Sequence, residues 1–148
     1  MREMEPANRA YDGRTVLIVD DHALVRSTLR GLLTEEFPGL TVAEAESAER
    51  AIAIASTHCP SAVVMDISLP GMGGIEATAR IKERWAHVPV LMHTIHDLDA
   101  YRQDALQAGA DGYIVKGKGY AGFLSALGRA LETEAKNTHN HPAPRGDG

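Results

Sequence analysis

Five short apolar runs, each followed by a longer stretch with apolar residues at helical spacing, constrain the fold of this chain most. The runs lie at 15–19, 40–45, 61–65, 88–93 and 112–116. Continuous runs of Val, Ile and Leu are typical of strands buried on both faces, as in parallel sheets, whereas the alternating run at 40–45 indicates a more exposed strand. Strands that alternate with helices form such sheets. The prediction is an α/β fold, a doubly wound five-stranded parallel sheet flanked by five helices. Asp20 or Asp21 is expected to cap the first helix, and Ser47 the second.

Composition limits the classes of protein to which the chain can belong. Its 148 residues are 44% apolar and 24% charged, which is typical of one soluble globular domain. We predict a domain at 14–136, a flexible leader at 1–13 and a flexible tail or linker start at 137–148. No run is long enough to span a membrane, and the net charge of −5 argues against direct nucleic-acid contact. The single cysteine, Cys59, fits an inert role and a reducing, cytoplasmic location.

Chemically active residues follow four of the predicted strands. Because the carboxyl ends of parallel strands open at one edge, where open α/β sheets bind ligands, these residues should meet there. Asp66 alone could simply turn the chain before the Pro- and Gly-rich segment 70–74. This interpretation of Asp66 is less favoured, because it does not explain why other charged and polar residues are expected at the same edge. The residues expected at this edge are Asp20, Asp21, Asp66, Thr94 and Lys116.

Charge balance indicates what such a cluster binds. Two carboxylates about 4–5 Å apart repel by about 3–4 kcal/mol at an effective dielectric constant near 20, and one lysine cannot neutralise three. Mg²⁺ suits a site with few carboxylates and remaining waters. The ion and Lys116 would stabilise a phosphoryl group, to which Thr94 could donate a hydrogen bond. A carboxylate in line, such as Asp66, could then form an aspartyl phosphate.

The motifs in order resemble the receiver domain of two-component response regulators, with its CheY-like, flavodoxin-like fold. The resemblance covers about residues 14–135. Segments 20–22 and 108–113 are most similar to the NarL/FixJ subgroup. The matching residues are Asp20, Asp21, Asp66 with 69–74 after it, Thr94, Tyr113 and Lys116.

The resemblance implies roles for these residues. Asp66 would accept a phosphoryl group from a sensor histidine kinase. Asp21 and Asp66 would bind Mg²⁺ directly, together with the backbone carbonyl of Ser68, while Asp20 would act through water. The chain would then be a phosphoacceptor and not an enzyme, with at most self-phosphorylation and slow autodephosphorylation.

The resemblance also implies a conformational switch. Lys116 would pair with Asp66 and later with the phosphate, Thr94 would move toward the phosphoryl oxygen, and Tyr113 would change rotamer. Tyr113 could instead be an ordinary strand aromatic. The switch would act on a protein-interaction surface of the fourth helix, fifth strand and fifth helix, and a homodimer could form on phosphorylation.

Four positions depart from the family pattern. Ile95 stands where a small residue is frequent and would narrow access to the phosphoryl group. Gly117 replaces a frequent proline, which predicts a looser loop. His93 and His96 flank Thr94 and could orient water for hydrolysis, although packed or solvated histidine is the simpler interpretation.

Three alternative functions compete with the expected one. The expected output is transcription regulation through a DNA-binding domain absent from this chain; the alternative is a stand-alone receiver that signals through a protein partner. A haloacid-dehalogenase-type phosphatase also uses an Asp after a strand, but it needs a second Asp two residues later, where this chain has Ser68. A flavodoxin-like cofactor binder is disfavoured because 71–74 matches no nucleotide-binding fingerprint.

Overall fold

The computed structural model describes residues 10–140, with side chains described through residue 132. Strands and helices alternate throughout this range. The strands are β1 (Thr15–Val19), β2 (Thr41–Ala45), β3 (Ala62–Met65), β4 (Val90–Thr94) and β5 (Gly112–Val115). The helices are α1 (Ala23–Glu36), α2 (Ala48–Thr57), α3 (Gly74–Arg84), α4 (Asp99–Gln107) and α5 (Ala121–Asn140).

All five strands are parallel and lie in the order β2-β1-β3-β4-β5. This order is that of the flavodoxin-like doubly wound sheet, and it confirms the predicted fold class. Apolar side chains of α2, α3 and α4 pack on one face, and those of α1 and α5 pack on the other. Every residue of β1, β3 and β4 is buried, as their unbroken apolar sequences predict, whereas β2 is partly exposed.

The strand register aligns the carboxyl ends of neighbouring strands. Val19 pairs with Met65, and Thr94 pairs with Val115. Residues that directly follow these strands therefore emerge side by side at one edge of the sheet. No helix within residues 10–140 is long and apolar enough to cross a membrane.

The helix starts agree with the sequence in one case and differ in another. Ser47 caps α2 as predicted, because its Oγ accepts the backbone N–H of Arg50 at 3.1 Å. The predicted cap of α1 by Asp20 or Asp21 is wrong, because His22 is the N-cap residue. Asp20 Oδ1 instead accepts the N–H of His22 at 2.9 Å, which keeps this carboxylate at the sheet edge.

The structure describes part of the predicted leader and part of the predicted tail, and their flexibility stays a prediction. Residues 10–13 form a turn, in which the Tyr11 N–H donates to Pro38 O at 3.1 Å. The Tyr11 ring contacts Phe37 edge-on, with the centroids 5.1 Å apart. Helix α5 continues through Asn140, so 137–140 of the predicted tail are helical. The rest of the predicted leader, 1–9, and of the tail, 141–148, lies outside the described residues.

Candidate functional site

The ends of three strands bring two carboxylates and one ammonium group together. Asp20 follows β1, Asp66 follows β3 and Lys116 follows β5. Lys116 Nζ donates to Asp20 Oδ2 at 2.8 Å and to Asp66 Oδ2 at 3.3 Å. Both carboxylates are buried, with side-chain exposures of 2% for Asp20 and 5% for Asp66. The pairing is therefore protected from solvent and from screening by salt.

The loop after Asp66 is held by a close approach of backbone to backbone. A Cβ at Gly74, the first residue of α3, would lie 1.8 Å from the carbonyl oxygen of Asp66. The Gly74 N–H donates to Ile67 O at 2.9 Å, and Gly71 turns the chain with a φ of 73°. Glycine at position 74 thus lets α3 start directly against the residue that carries the buried carboxylate.

The two buried carboxyl groups differ in their electrostatic surroundings. Burial raises the pKa of Asp66, and the opposing attraction of Lys116 does not cancel that effect. Burial also acts to raise the pKa of Asp20, but hydrogen bonds from Lys116 and His22 outweigh it and hold that pKa below its usual value. Burial acts to lower the pKa of Lys116, yet its hydrogen bond to Asp20 and the attraction of Asp66 raise it. Asp20 is thus the tightly held partner of the lysine, and Asp66 carries the more basic carboxyl group.

The donor atoms at this edge fit a divalent cation. One ligand atom from each member of the group lies within 4.8 Å of the others. Three of the four are carboxylates, the hard oxygen donors that Mg²⁺ prefers. The Ser68 N–H donates to Asp66 Oδ1 at 3.3 Å, whereas the role of its carbonyl as a ligand stays a prediction. The group consists of Asp20, Asp21, His22 and Asp66.

The predicted switch residues meet at a histidine in the loop after β4. Thr94 is fully buried, and its Oγ1 accepts the N–H of His96 at 3.3 Å. The Tyr113 hydroxyl donates to His96 O at 2.8 Å. His96 Nε2 lies 2.7 Å from Ser68 Oγ, and its ring lies over Tyr101 of α4 with the centroids 4.5 Å apart. His96 thus links the loop after Asp66 to Thr94, Tyr113 and α4, a connection that the sequence did not predict.

Of the remaining positions that depart from the family pattern, one is buried and two are exposed. His93 is 5% exposed, and its ring lies 5.1 Å from that of Phe123. Burial, with a further contribution from Lys116, lowers the pKa of His93 to about 4, so it is an uncharged side chain of the core at neutral pH. These contacts favour the packing role of His93 over a role in hydrolysis. Ile95 is 70% exposed, and Gly117 has a φ of 91°, in the region that favours glycine.

Known proteins are similar to this chain in both sequence and fold. Residues 16–127 match the family described as "Response regulator receiver domain". The chain is 41% identical over 113 residues to Response regulator UvrY of Escherichia coli (strain K12), an alignment that covers 76% of this chain and 51% of that protein. The chain spans about half the length of the curated relatives that it matches.

Two solved structures have the same architecture. One is a two-component response regulator of the LuxR family from Aurantimonas sp. SI85-9A1, with a TM-score of 0.75 and 39% identity, covering 80% of this chain and 84% of that one. The other is response regulator protein TrrA from Thermotoga maritima in complex with Mg(2+)-BeF, with a TM-score of 0.72 and 27% identity, covering 79% of this chain and 98% of that one.

Proposed function

The chain belongs to the response regulator receiver domain family, and on this premise we propose that Asp66 accepts a phosphoryl group from the phosphohistidine of a sensor histidine kinase. One observation carries the proposal. Asp66 is a buried carboxylate at the end of the central strand, 3.3 Å from the Lys116 ammonium and inside a group of possible metal ligands. A nucleophile, a cation and a metal site are the parts that phosphoryl transfer requires.

The positions of these side chains support one route for the proposed transfer. An oxygen of Asp66 attacks phosphorus while the bond from phosphorus to the kinase imidazole nitrogen breaks, and the electron pair returns to that nitrogen. Burial raises the pKa of Asp66, which makes its oxygen a stronger base and nucleophile. Lys116, already within hydrogen-bond distance of Asp66, donates to the transferred oxygens.

The proposal assigns Mg²⁺ to the acidic group. Asp21 and Asp66 would bind the ion directly with the backbone carbonyl of Ser68, and Asp20 would act through water. The ion would supply positive charge to the oxygens of the transferred group. The short contact between Asp20 and Lys116, 2.8 Å, supports an indirect role for Asp20, because one of its oxygens is already occupied.

In this proposal, phosphorylation changes the conformation of one surface of the protein. Thr94 turns toward the phosphoryl oxygen, which breaks its hydrogen bond with the His96 N–H. Tyr113, which donates to the carbonyl of the same histidine, then changes rotamer. The face formed by α4, β5 and α5 shifts between two states and can favour a homodimer.

The proposed setting is a cytoplasmic transcription regulator. The relatives include proteins named Response regulator UvrY and Transcriptional activator protein ExaE, and each is about twice as long as the matched part. This part would act as phosphoacceptor rather than as an enzyme, with at most self-phosphorylation and slow autodephosphorylation. With a net charge of −5 it would leave nucleic-acid contact to another part of a longer protein.

Mass spectrometry of the intact chain tests the proposal. With Mg²⁺ and a small phosphodonor such as acetyl phosphate, we expect one added phosphoryl group, which disappears with a chelator and in Asp66→Asn. Asp104→Asn, the same charge change on the exposed face of α4, should retain the adduct. An adduct that survives in Asp66→Asn contradicts the proposal, and rapid turnover of phosphate esters would indicate a phosphatase.

A further inference from the structure

His22 places a ring nitrogen between two carboxylates of the proposed metal site. Its Nδ1 lies 3.0 Å from Asp20 Oδ1 and 3.1 Å from Asp21 Oδ1. An ion bound at about 2.1 Å in octahedral geometry holds adjacent ligand atoms about 3.0 Å apart. His22 Nδ1 and Asp21 Oδ1, 3.1 Å apart, thus have the spacing of adjacent ligands on one six-coordinate ion.

A single Nδ1–H group cannot donate well to both carboxylates. The proton of an Nδ1–H group lies in the ring plane and can point well at only one of the two oxygens. Asp20 Oδ1 also accepts the backbone N–H of His22 at 2.9 Å. A cation next to His22 Nδ1 and Asp21 Oδ1 would be bound by a lone pair of each, with Asp20 acting through water.

The neighbouring contacts hold the donors in this arrangement. Lys116 Nζ binds Asp20 through Oδ2, which leaves Oδ1 facing His22. The N–H of His22 fixes its backbone to the same carboxylate, and the residue stands at the N-cap of α1 in an extended conformation. The imidazole is 64% exposed, so an ion or its waters can reach it from solvent.

We propose that His22 Nδ1 is an additional ligand of the divalent ion at the phosphoacceptor site, and that this site therefore favours Mn²⁺ over Mg²⁺ relative to an all-oxygen site. Imidazole suits first-row transition metals, whereas Mg²⁺ prefers oxygen. The inference rests on the proposed function, because the ion is the one that the acidic group would bind. It adds a residue and a metal preference to that function.

Pulsed electron paramagnetic resonance of Mn²⁺ bound to the full chain tests the inference directly. We expect a coupling from a directly bound ¹⁴N nucleus, which is replaced by a ¹⁵N coupling when histidine is isotopically labelled. His22→Phe keeps a ring of similar size without nitrogen and should lose the coupling. His87→Phe, a change on an exposed loop, should retain it. The double variant His139→Ala/His141→Ala should also retain it, which excludes binding by those histidines.

Calorimetric titrations give the second measurement. We expect the ratio of Mn²⁺ to Mg²⁺ affinity to fall by about tenfold in His22→Phe. Absence of nitrogen coupling in the wild-type chain, or its persistence in His22→Phe, would overturn the inference. The phosphoryl adduct that the wild-type chain forms with Mg²⁺ distinguishes this inference from the proposed function. If the adduct forms but no nitrogen coupling is seen, only the role of His22 is refuted. If no adduct forms, the proposed function is refuted.

Discussion

Asp20 and Asp66 share one cation, yet their pKa values shift in opposite directions. Lys116 is closer to Asp20, at 2.8 Å, than to Asp66, at 3.3 Å. The pKa of Asp20 is lowered by hydrogen bonds that outweigh its burial, whereas burial raises the pKa of Asp66. The negative charge of Asp66 is therefore the one that the folded protein tolerates least.

We expect Asp66→Asn to stabilise the protein at neutral pH by about 1–2 kcal/mol. Because its pKa is raised, the folded state holds a proton on Asp66 above the usual titration range, so this carboxyl favours folding at low pH. That contribution is lost as pH rises through the raised pKa. Urea unfolding with a chelator should show a larger gain at pH 7.5 than at pH 4.5.

Asp104→Asn serves as the matched control for Asp66→Asn. It removes a carboxylate from an exposed position on α4 and should change the free energy of unfolding by less than about 0.5 kcal/mol. A clear loss of stability in Asp66→Asn at pH 7.5 would contradict this account, because it would show that the attraction of Lys116 fully offsets the free-energy cost of burying this carboxylate.

We expect Lys116→Met to destabilise the protein by about 3–5 kcal/mol at neutral pH without metal. The change leaves two carboxylates facing each other with side-chain exposures of 2% and 5%. Added Mg²⁺ should recover part of the loss in urea unfolding. Lys118→Met removes only an exposed pair with Asp97, at 3.6 Å, and should cost less than about 1 kcal/mol. Equal effects of the two changes would contradict this account.

The sequence predicted which residues approach the site but not how their side chains meet. Apolar runs predict where strands end, so the sequence alone placed Asp20, Asp66 and Lys116 at one edge of the sheet. The contact of His96 with Ser68, and that of His22 with the acidic pair, depend on side-chain torsions in loops. Periodicity carries no information about such torsions.

At the scale of elements, the position of α3 depends on the absence of a side chain at Gly74. We expect Gly74→Ala to destabilise the protein by about 2–3 kcal/mol, because the new Cβ would meet the carbonyl oxygen of Asp66. Helix propensity alone predicts the opposite sign, a gain of about 1 kcal/mol. Phosphoryl uptake measured by mass spectrometry should fall as well, since the clash displaces Asp66, the proposed acceptor.

Gly31→Ala is the matched control on another helix. Gly31 lies within α1, and a Cβ there meets nothing within 4 Å, so we expect a gain of about 0.5–1 kcal/mol in urea unfolding. Similar effects of the two changes would show that the backbone contact of α3 has little weight.

Element order and, to within two residues, the strand bounds followed from the sequence, and the differences concern one helix cap, one aromatic contact and one helix end. Asp20 does not cap α1, because Lys116 and the His22 N–H hold its carboxylate at the sheet edge. Tyr11 packs on Phe37 although its neighbours in sequence show no periodicity, since one aromatic contact needs no repeat. The sequence after Lys136 has no apolar stripe, yet helical backbone continues to Asn140.

At the scale of the whole molecule, the proposed change of surface predicts a change of mass. We expect light scattering to show a monomer in buffer and a dimer when Mg²⁺ and beryllofluoride, a phosphate mimic, are added. Asp66→Asn should remain monomeric under both conditions, because it lacks the oxygen that the mimic binds. A wild-type chain that stays monomeric in both would refute the dimer and leave phosphoryl acceptance untouched.

The position of each strand in the sheet sets how often its backbone opens. Asp66 follows β3, which lies between β1 and β4, and its N–H donates to Val19 O at 3.0 Å. Lys116 follows β5, an edge strand that pairs only with β4, and its N–H donates to Thr94 O at 2.7 Å. Amide hydrogens on the central strand should therefore exchange with deuterium only on global unfolding, and those on β5 through smaller local openings. The Asp66 carboxylate would thus stand on the part of the protein that opens last, whereas the lysine that contacts it would belong to a strand that detaches while the rest stays folded.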